Sequence, residues 1–396
     1  MRVLHVSPYF APAFVYGGPP RTILGLCQGL QAAGVGVEVF TTTANGDAEL
    51  PTSPPDGESY EGVRVRYFPR RPPRLLWNAG RLAEALDASA GSFDVIHIHG
   101  LWHRPSALGA RAATTAGVPY IVSPRGMLEP AALAVHKWRK RALFEAIERR
   151  TLSNAALLHA TSDAEAATFR RLGLDATTIV VPNGIDLETP SGNPQKLRAQ
   201  LGLSNAARIV LFMGRIHPIK RLDLLGEAVS RLVVPDVHLV IAGPDEGHQS
   251  ALAPLFARLG VRAHWLGRVE LADRADAFAA ADVLALCSDS ESFGMAVVES
   301  MAHGVPVVVT RTCPWPQVAE AGAGRWVPQT SAAVASALDE ILRDQILARS
   351  MAAAGRRVVA DRYTWPAIGM TMAQHYRAVL AKTPRTSRVE RAASTS

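Results

Sequence analysis

Seven residues separate Glu291 from Glu299 in the stretch Ser288–Thr310, and Phe293, Gly294, Met295 and Ala296 lie between them. Val283–Cys287 reads as a short buried strand and Ser288–Ser292 as a polar loop. A helix is expected from about Phe293 to Ala302 with Ser292 as N-cap, followed by a strand over Val305–Val309. A helix that starts at the carboxyl end of a parallel strand offers its free amides to an anion. Gly294 and Ala296 are small enough to leave those amides open. Met295 and Glu299 are i, i+4, and helical side chains lean back toward the N-terminus, so the Glu299 carboxylate lies below the first turn. An anion there has a carboxylate on each side, which suits a phosphate joined to something neutral and hydroxyl-rich, such as a sugar. The plainer alternative is a buried helix with an ordinary surface glutamate.

A second set of charges follows Ile209–Gly214, which reads as the first strand of the second half. Met213-Gly214-Arg215-Ile216-His217-Pro218-Ile219-Lys220 places Arg215 and Lys220 across a turn at that strand's carboxyl end. Two cations at such a position, together with the amides after Phe293, form a clamp for a diphosphate, with Arg as fork and Lys as point charge. The alternative is a pair of surface cations. His97, His99 and His103 stand in His-Ile-His-Gly-Leu-Trp-His without an acidic or Cys partner nearby. That favours packing or sugar contact over metal ligation. No Asp-x-Asp occurs in the chain, so a leaving diphosphate is expected to be neutralised by cationic side chains and amides rather than by a metal.

The elements that position these residues alternate. Arg2–Ser7, Val35–Thr42, Val63–Phe68, Asp94–His99, Tyr120–Ser123, Ala156–Thr161 and Thr178–Val181 read as strands, with helices near Arg21–Ala33, Leu75–Ala90, Arg104–Ala116 and Asp163–Leu172. The second half repeats the theme with His238–Ala242 and Ala263–Leu266. The expected fold class is α/β with two Rossmann-like domains whose parallel sheets face across a cleft. The expected division is 1–186, a linker over 187–206, a second domain over 207–365, a final helix over 366–381 and a disordered basic tail over 382–396. Neither half has Gly-x-Gly-x-x-Gly after its first strand, and no Walker loop occurs, which argues against NAD and P-loop chemistry.

Composition is that of a globular protein, with 48% hydrophobic and 19% charged residues among 396. No run approaches the roughly 18–20 apolar residues of a membrane span. Three scattered cysteines suggest a reducing compartment, and the N-terminus reads as a strand rather than a signal peptide, so a cytoplasmic location is expected. The net charge of +7 is concentrated in Lys137–Arg150, which carries +4, and in the tail after Ala381, which carries +3. This local excess argues against a nucleic-acid groove. The segment at Lys137 makes peripheral contact with anionic lipid an expectation, against the alternative of a solvated helix.

Glu-x7-Glu with Phe-Gly after the first Glu, then Glu-Ser-Met-Ala-His-Gly-Val-Pro-Val-Val, resembles the retaining glycosyltransferases of family 4, which have the GT-B fold. The likeness runs from Gly17 to about Trp326. Gly-Arg-x4-Lys, Pro182-Asn183-Gly184-Ile185-Asp186 and Ser123-Pro124-Arg125-Gly126-Met127-Leu128-Glu129-Pro130 resemble further family motifs. The resemblance implies sugar transfer from a nucleotide-diphosphate sugar to a hydroxyl acceptor, with a saccharide or lipid-linked intermediate of cell-surface polysaccharide synthesis as that acceptor, no cofactor and no metal. It implies that Glu299 holds the ribose, Glu291 the donor sugar, and Arg215 and Lys220 the diphosphate, while main-chain groups at Arg268 and Val269 read the base. It further implies that Gly17, Gly18 and Gly214 line the donor, the absent side chains of Gly17-Gly18 letting the backbone approach it closely. His99 and His103 are expected, from their own placement, as candidate sugar or acceptor contacts. Arg125 stands where many relatives carry a His that touches the donor sugar. Rival readings are a sucrose-type synthase or a nucleotide-sugar epimerase on the same fold, and a catalytically silent nucleotide-sugar binder.

Overall fold

The computed structural model describes residues 1–71, 77, 79–187 and 191–382. The chain forms two units, one of residues 1–184 and 365–396, the other of residues 185–364. Lys382, expected as the start of the tail, is the last residue of the final helix, while residues 383–396 and the start of the helix expected at Leu75 lie outside the described residues.

The first unit contains β1 (Arg2–Val6), α1 (Gly18–Ala32), β2 (Gly36–Thr42), β3 (Ala44–Asn45), β4 (Ala48–Glu49), β5 (Glu58–Tyr60), β6 (Val63–Phe68), α2 (Gly80–Ser89), β7 (Val95–His99), α3 (Arg104–Thr115) and β8 (Tyr120–Ser123). α4 (Pro130–Ala134), α5 (Lys137–Leu143), α6 (Arg149–Ser153), β9 (Leu157–Ala160), α7 (Asp163–Arg171) and β10 (Thr178–Val180) follow. Its eight strands run β10-β9-β8-β7-β1-β2-β6-β5, parallel except for the antiparallel edge strand β5. The stretch 46–61 supplies an edge strand and half of the β3–β4 ribbon. α1 starts three residues earlier than expected because Pro19 and Pro20 fit a first helical turn, where amide donors have no partner to lose. The single basic helix expected near Lys137 is broken into α4, α5, a π-helical turn at Phe144–Glu148, and α6.

Strand side chains alternate between faces. On β1 and β7, Leu4, Val6, Ile96 and Ile98 join one core, and Val3 and Val95 join the other. The second core is sealed by α1 and by α16 (Trp365–Lys382). Trp365, Ile368, Met372, Tyr376 and Val379 form the buried stripe of α16. Burying a side chain of this size stabilises by roughly 1.5–3 kcal/mol. Glycines bring the two helices together: a Cβ at Gly25 would lie 2.0 Å from the Trp365 ring, and one at Gly369 would lie 2.0 Å from the Gly29 carbonyl carbon. The last helix, expected as a segment of its own, is therefore part of the first unit, in its second core.

The second unit contains α8 (Pro194–Leu201), β11 (Arg208–Met213), α9 (Leu222–Val229), β12 (Val237–Ala242), α10 (Gln249–Leu259), β13 (Ala263–Gly267), α11 (Leu271–Ala280), β14 (Val283–Leu286), α12 (Met295–Ala302), β15 (Val307–Thr310), α13 (Gln317–Glu320), β16 (Gly324–Val327), α14 (Ser331–Arg343) and α15 (Gln345–Arg362). α8 occupies part of the expected linker, and residues 188–190 of that linker lie outside the described residues. The sheet is wholly parallel in the order β13-β12-β11-β14-β15-β16. In its own strand count this is the 3-2-1-4-5-6 order of a doubly wound nucleotide-binding sheet, and the order reverses between β11 and β14. β16 was not anticipated, since its sequence Gly-Arg-Trp-Val carries little strand signal.

Candidate active site

Ligands of open α/β sheets bind beyond the carboxyl ends of the strands where the order reverses. In the second unit that place is flanked by the loops after β11 and β14. The Gly214 amide donates to Ala242 O at 2.9 Å, and the Gly243 amide donates to Gly267 O at 2.7 Å. Gly243 has φ +147°, and a Cβ there would lie 1.8 Å from Gly214 O, so only glycine permits this closeness of strand ends. The chain then turns through Pro218–Lys220, where His217 Nδ1 accepts from the Ile219 amide at 3.2 Å.

Lys220 is ion-paired with Glu291, and both side chains are largely buried. The same Glu291 oxygen accepts from Ser288 Oγ at 2.8 Å. The Asp289 amide donates to Ile219 O at 2.8 Å, and Arg221 pairs with Asp289 at 3.1 Å. The loops after β11 and β14 are thus joined by two ion pairs and a main-chain bond. Arg215, from the same turn as Lys220, is exposed and pairs instead with Glu246 at 2.7 Å. The two cations of the expected clamp therefore each hold an acid of their own.

α12 begins at Met295, two residues later than expected, and its N-cap is Gly294 rather than Ser292. Phe293 cannot join the helix because it is anchored elsewhere. Its ring packs on Trp315 and Tyr363, and its carbonyl accepts from Trp315 Nε1. Gly294 then takes φ +86° to redirect the chain, and a side chain there would press on the Trp315 indole. Glu299 is half-buried and ion-paired with Arg274 of α11. Arg268 is exposed and Val269 half-buried just after β13. Burial pushes the nearby Cys313 thiol up to about 12, which leaves it inert as a nucleophile.

In the first unit the order reverses between β1 and β7. His5 on β1, His97 and His99 on β7, and His159 on β9, beyond β8, all stand on the face covered by α1 and α16. His5 Nδ1 lies 2.9 Å from His99 Nε2, His97 Nδ1 lies 2.7 Å from Tyr376 Oη, and His159 Nδ1 lies 3.4 Å from His97 Nε2. Burial lowers all four, His5 and His159 to about 3. Ligand nitrogens of His5, His97 and His99 lie within 4.8 Å of one another, close enough for one ion. However, an Arg125 guanidinium nitrogen stands 3.3 Å from His99 Nδ1 and opposes a second positive charge. His99 is thus a buried network member, while His103 is half-buried and meets the rings of Trp77 and Tyr9 edge-on.

Arg125 has φ +57°, unusual for a non-glycine residue. The turn it forms with Gly126 is fixed by Glu165, which accepts from the Gly126 amide at 2.6 Å and from the Thr161 amide and hydroxyl at 2.7 and 2.8 Å. Gly17 caps α1 with φ +83°, and neither it nor Gly18 has an atom within 4 Å of where a Cβ would sit, so this helix start is open.

Residues 17–184 match the model of the glycosyl transferase 4-like domain, and residues 193–358 match that of glycosyl transferases group 1. A D-inositol 3-phosphate glycosyltransferase of Kineococcus radiotolerans is 32% identical and covers 94% of this chain and 93% of its own. Its counterpart from Frankia alni is 31% identical, covering 96% and 98%. The chain belongs to glycosyltransferase family 4. The fold of this family 4 glycosyltransferase is GT-B: Anabaena HepE, in complex with UDP and glucose, superposes with a TM-score of 0.74 at 22% identity over 96% of this chain and 100% of that one. A sucrose-phosphate synthase of Thermosynechococcus elongatus superposes with a TM-score of 0.71 at 23% identity, covering 96% and 99%.

Several residues of this glycosyltransferase's site escaped the sequence reading. Glu246 and Arg274 are 31 and 25 residues from the partners they hold, so no local spacing pointed to them. Glu165 follows the Ser162 N-cap by three residues, a capping-box signal, but its carboxylate serves the Arg125 turn. The histidine cluster was findable, because His97, His99 and His159 share strand parity with buried valines and leucines.

Proposed function

We propose that this chain transfers a sugar from a nucleotide-diphosphate donor to a hydroxyl acceptor with retained anomeric configuration and without a metal. The carrying observation is the Lys220–Glu291 ion pair across the point where the second sheet reverses. A cation and an acid held at that point suit a diphosphate and the sugar attached to it. In this reading Lys220 and Arg215 take the diphosphate, and α12 adds its first amides. Glu299 holds the ribose, Glu291 holds the donor sugar, and backbone at Arg268 and Val269 meets the base. Retention follows if the acceptor attacks from the leaving-group side and the departing phosphate takes its proton, so no side-chain nucleophile is required. Relatives named for D-inositol 3-phosphate and neighbours solved with UDP or UDP-glucose support a nucleotide-sugar donor and a polyol or saccharide acceptor.

A lipid-linked acceptor at a cytoplasmic membrane face is the finer part of the proposal. Trp138 is 77% exposed, beside exposed Lys137, Arg139 and Arg141, and Val135 and Ile147 are exposed on the same segment. Basic residues attract anionic headgroups and an exposed indole favours the interface. No helix among the described residues is long and apolar enough to cross a membrane.

The test is a thermal-shift panel of UDP-, GDP- and ADP-sugars, each with and without EDTA, followed by product analysis with the sugar that stabilises. A ligand at about 100 times its Kd stabilises by roughly 2.7 kcal/mol. Transfer that survives EDTA and retains configuration is expected. Loss restored by Mg2+ or Mn2+, or an inverted product, removes the corresponding part.

A further inference from the structure

Among the described residues no ion pair neutralises the charge of Arg125. Its Nη1 donates to Asn183 Oδ1 at 2.8 Å and to Thr22 Oγ1 at 3.3 Å, and its Nη2 faces His99 Nδ1 at 3.3 Å. All three partners are uncharged groups. Among the described residues no carboxylate pairs with it. Glu165, the acid that acts on it at longer range, is already committed to the Gly126 and Thr161 donors. Arg125 Nε has no partner, and neither do His5 Nε2 and Ser123 Oγ, both on fully buried side chains of the same sheet face. The imidazoles beside it are held neutral by burial and by the guanidinium itself, and burial lowers Arg125 to about 10.

A buried cation is normally paired, since removing an ion from water costs several kcal/mol. Here the fork is pre-set by a left-handed turn and three neutral contacts, at the carboxyl end of β8 and beside Thr22 of α1. Arg125 retains some exposure, and Gly17 and Gly18 leave the start of α1 clear. The arrangement is that of a receptor for a planar or tetrahedral anion.

We infer that Arg125 is a specificity-determining residue that receives an anionic group, a carboxylate or phosphate, carried by one of this transferase's two substrates. The inference rests on the donor-and-acceptor reading above and adds the charge of the substrate. One source is a uronate, a donor sugar bearing a carboxylate. The other is an acceptor bearing a phosphate.

Calorimetry on the full chain first establishes which of UDP, GDP and ADP binds. The donor arm compares the uronate and hexose forms of that nucleotide sugar. The acceptor arm compares glucose 6-phosphate with glucose in the presence of the nucleoside diphosphate. The wild type should favour the anionic member of one arm by about tenfold or more, as a charge-assisted bond implies, and that arm identifies the source. Arg125→Gln should lose the preference, Arg125→His should shift it toward the neutral member, and Arg125→Lys should keep part of it, with circular dichroism confirming that each is folded. Equal affinity within both arms for the wild type overturns the inference without any variant. So does a preference that survives in Arg125→Gln. If no nucleoside diphosphate binds, the donor reading itself falls, an outcome distinct from equal affinities.

Discussion

Lys220 and Glu291 are ion-paired across the loops that follow β11 and β14. In the proposed reaction a diphosphate that engages Lys220 would compete with Glu291 and free that carboxylate for the donor sugar. Glu291→Gln keeps the shape and removes this competition. Its kcat should fall at least about tenfold, roughly 1.4 kcal/mol, while nucleoside diphosphate affinity holds or improves. Lys220→Ala should weaken donor use by roughly 1.5–3 kcal/mol. Steady-state kinetics with calorimetry on both variants checks this. Normal turnover in Glu291→Gln removes the proposed role.

Glu299 and Arg274 form the second pair at the site. If Glu299 holds the ribose as proposed, the contact is made alike in ground and transition states, so Glu299→Gln should raise KM more than it lowers kcat. Arg274→Met leaves Glu299 without its partner and should give a smaller KM change of the same kind. A loss in kcat alone for Glu299→Gln would assign the two glutamates the other way round.

Acid should destabilise the first unit through its histidines. His5, His97, His99, His103 and His159 are all held below the usual imidazole range, chiefly by burial. The unfolded chain then binds more protons, so the stability these groups contribute is full above pH 6.5 and is lost as pH falls below it. Each costs roughly 1.4 kcal/mol per pH unit. Glu129 and Glu148, pushed up to about 7 by burial, and Glu165, also raised by burial, act in the opposite sense between their raised and their unfolded values. The five imidazoles outnumber them, so the net slope is toward acid instability. Urea midpoints from pH 7.5 to 5 should fall for the wild type and fall less steeply for His159→Gln. Parallel profiles for the two proteins would show that His159 is not the titrating group.

The exposed indole and basic side chains near α5 should bind lipid. Sedimentation with anionic vesicles should exceed that with neutral ones and should fall with salt, since exposed charges are screened over about 10 Å at 0.1 M. Trp138→Ala should reduce it without altering nucleotide binding. Equal partition to both vesicle types rules the contact out.

Gly369→Ala should test the seam between α1 and α16. The added methyl meets the Gly29 backbone, which cannot move as a side chain tip can. A destabilisation of about 1–3 kcal/mol is expected, read as a lower Tm. An unchanged Tm would mean that the helices separate at no cost.

Sequence by itself determined the fold class, the family and the segments that end at each site. Strand alternation and turn residues are local signals, and the Glu-x7-Glu and Gly-Arg-x4-Lys spacings each lie within one short stretch of chain. Helix starts were less legible. The α12 boundary depends on the hold of Trp315 on Phe293, a contact over 22 residues, and the placement of α16 depends on glycines in a helix at the other end of the chain. Only the tertiary structure decided which charge meets which. Arg215 and Lys220 look like a pair in sequence, yet each is neutralised by an acid brought to it by sheet order. Arg125 reads in sequence as a departure from the family's usual His, and the fold leaves it with neutral neighbours. The reason is physical: secondary structure follows from neighbours along the chain, whereas the energy of a charge depends on burial and on partners that only folding supplies.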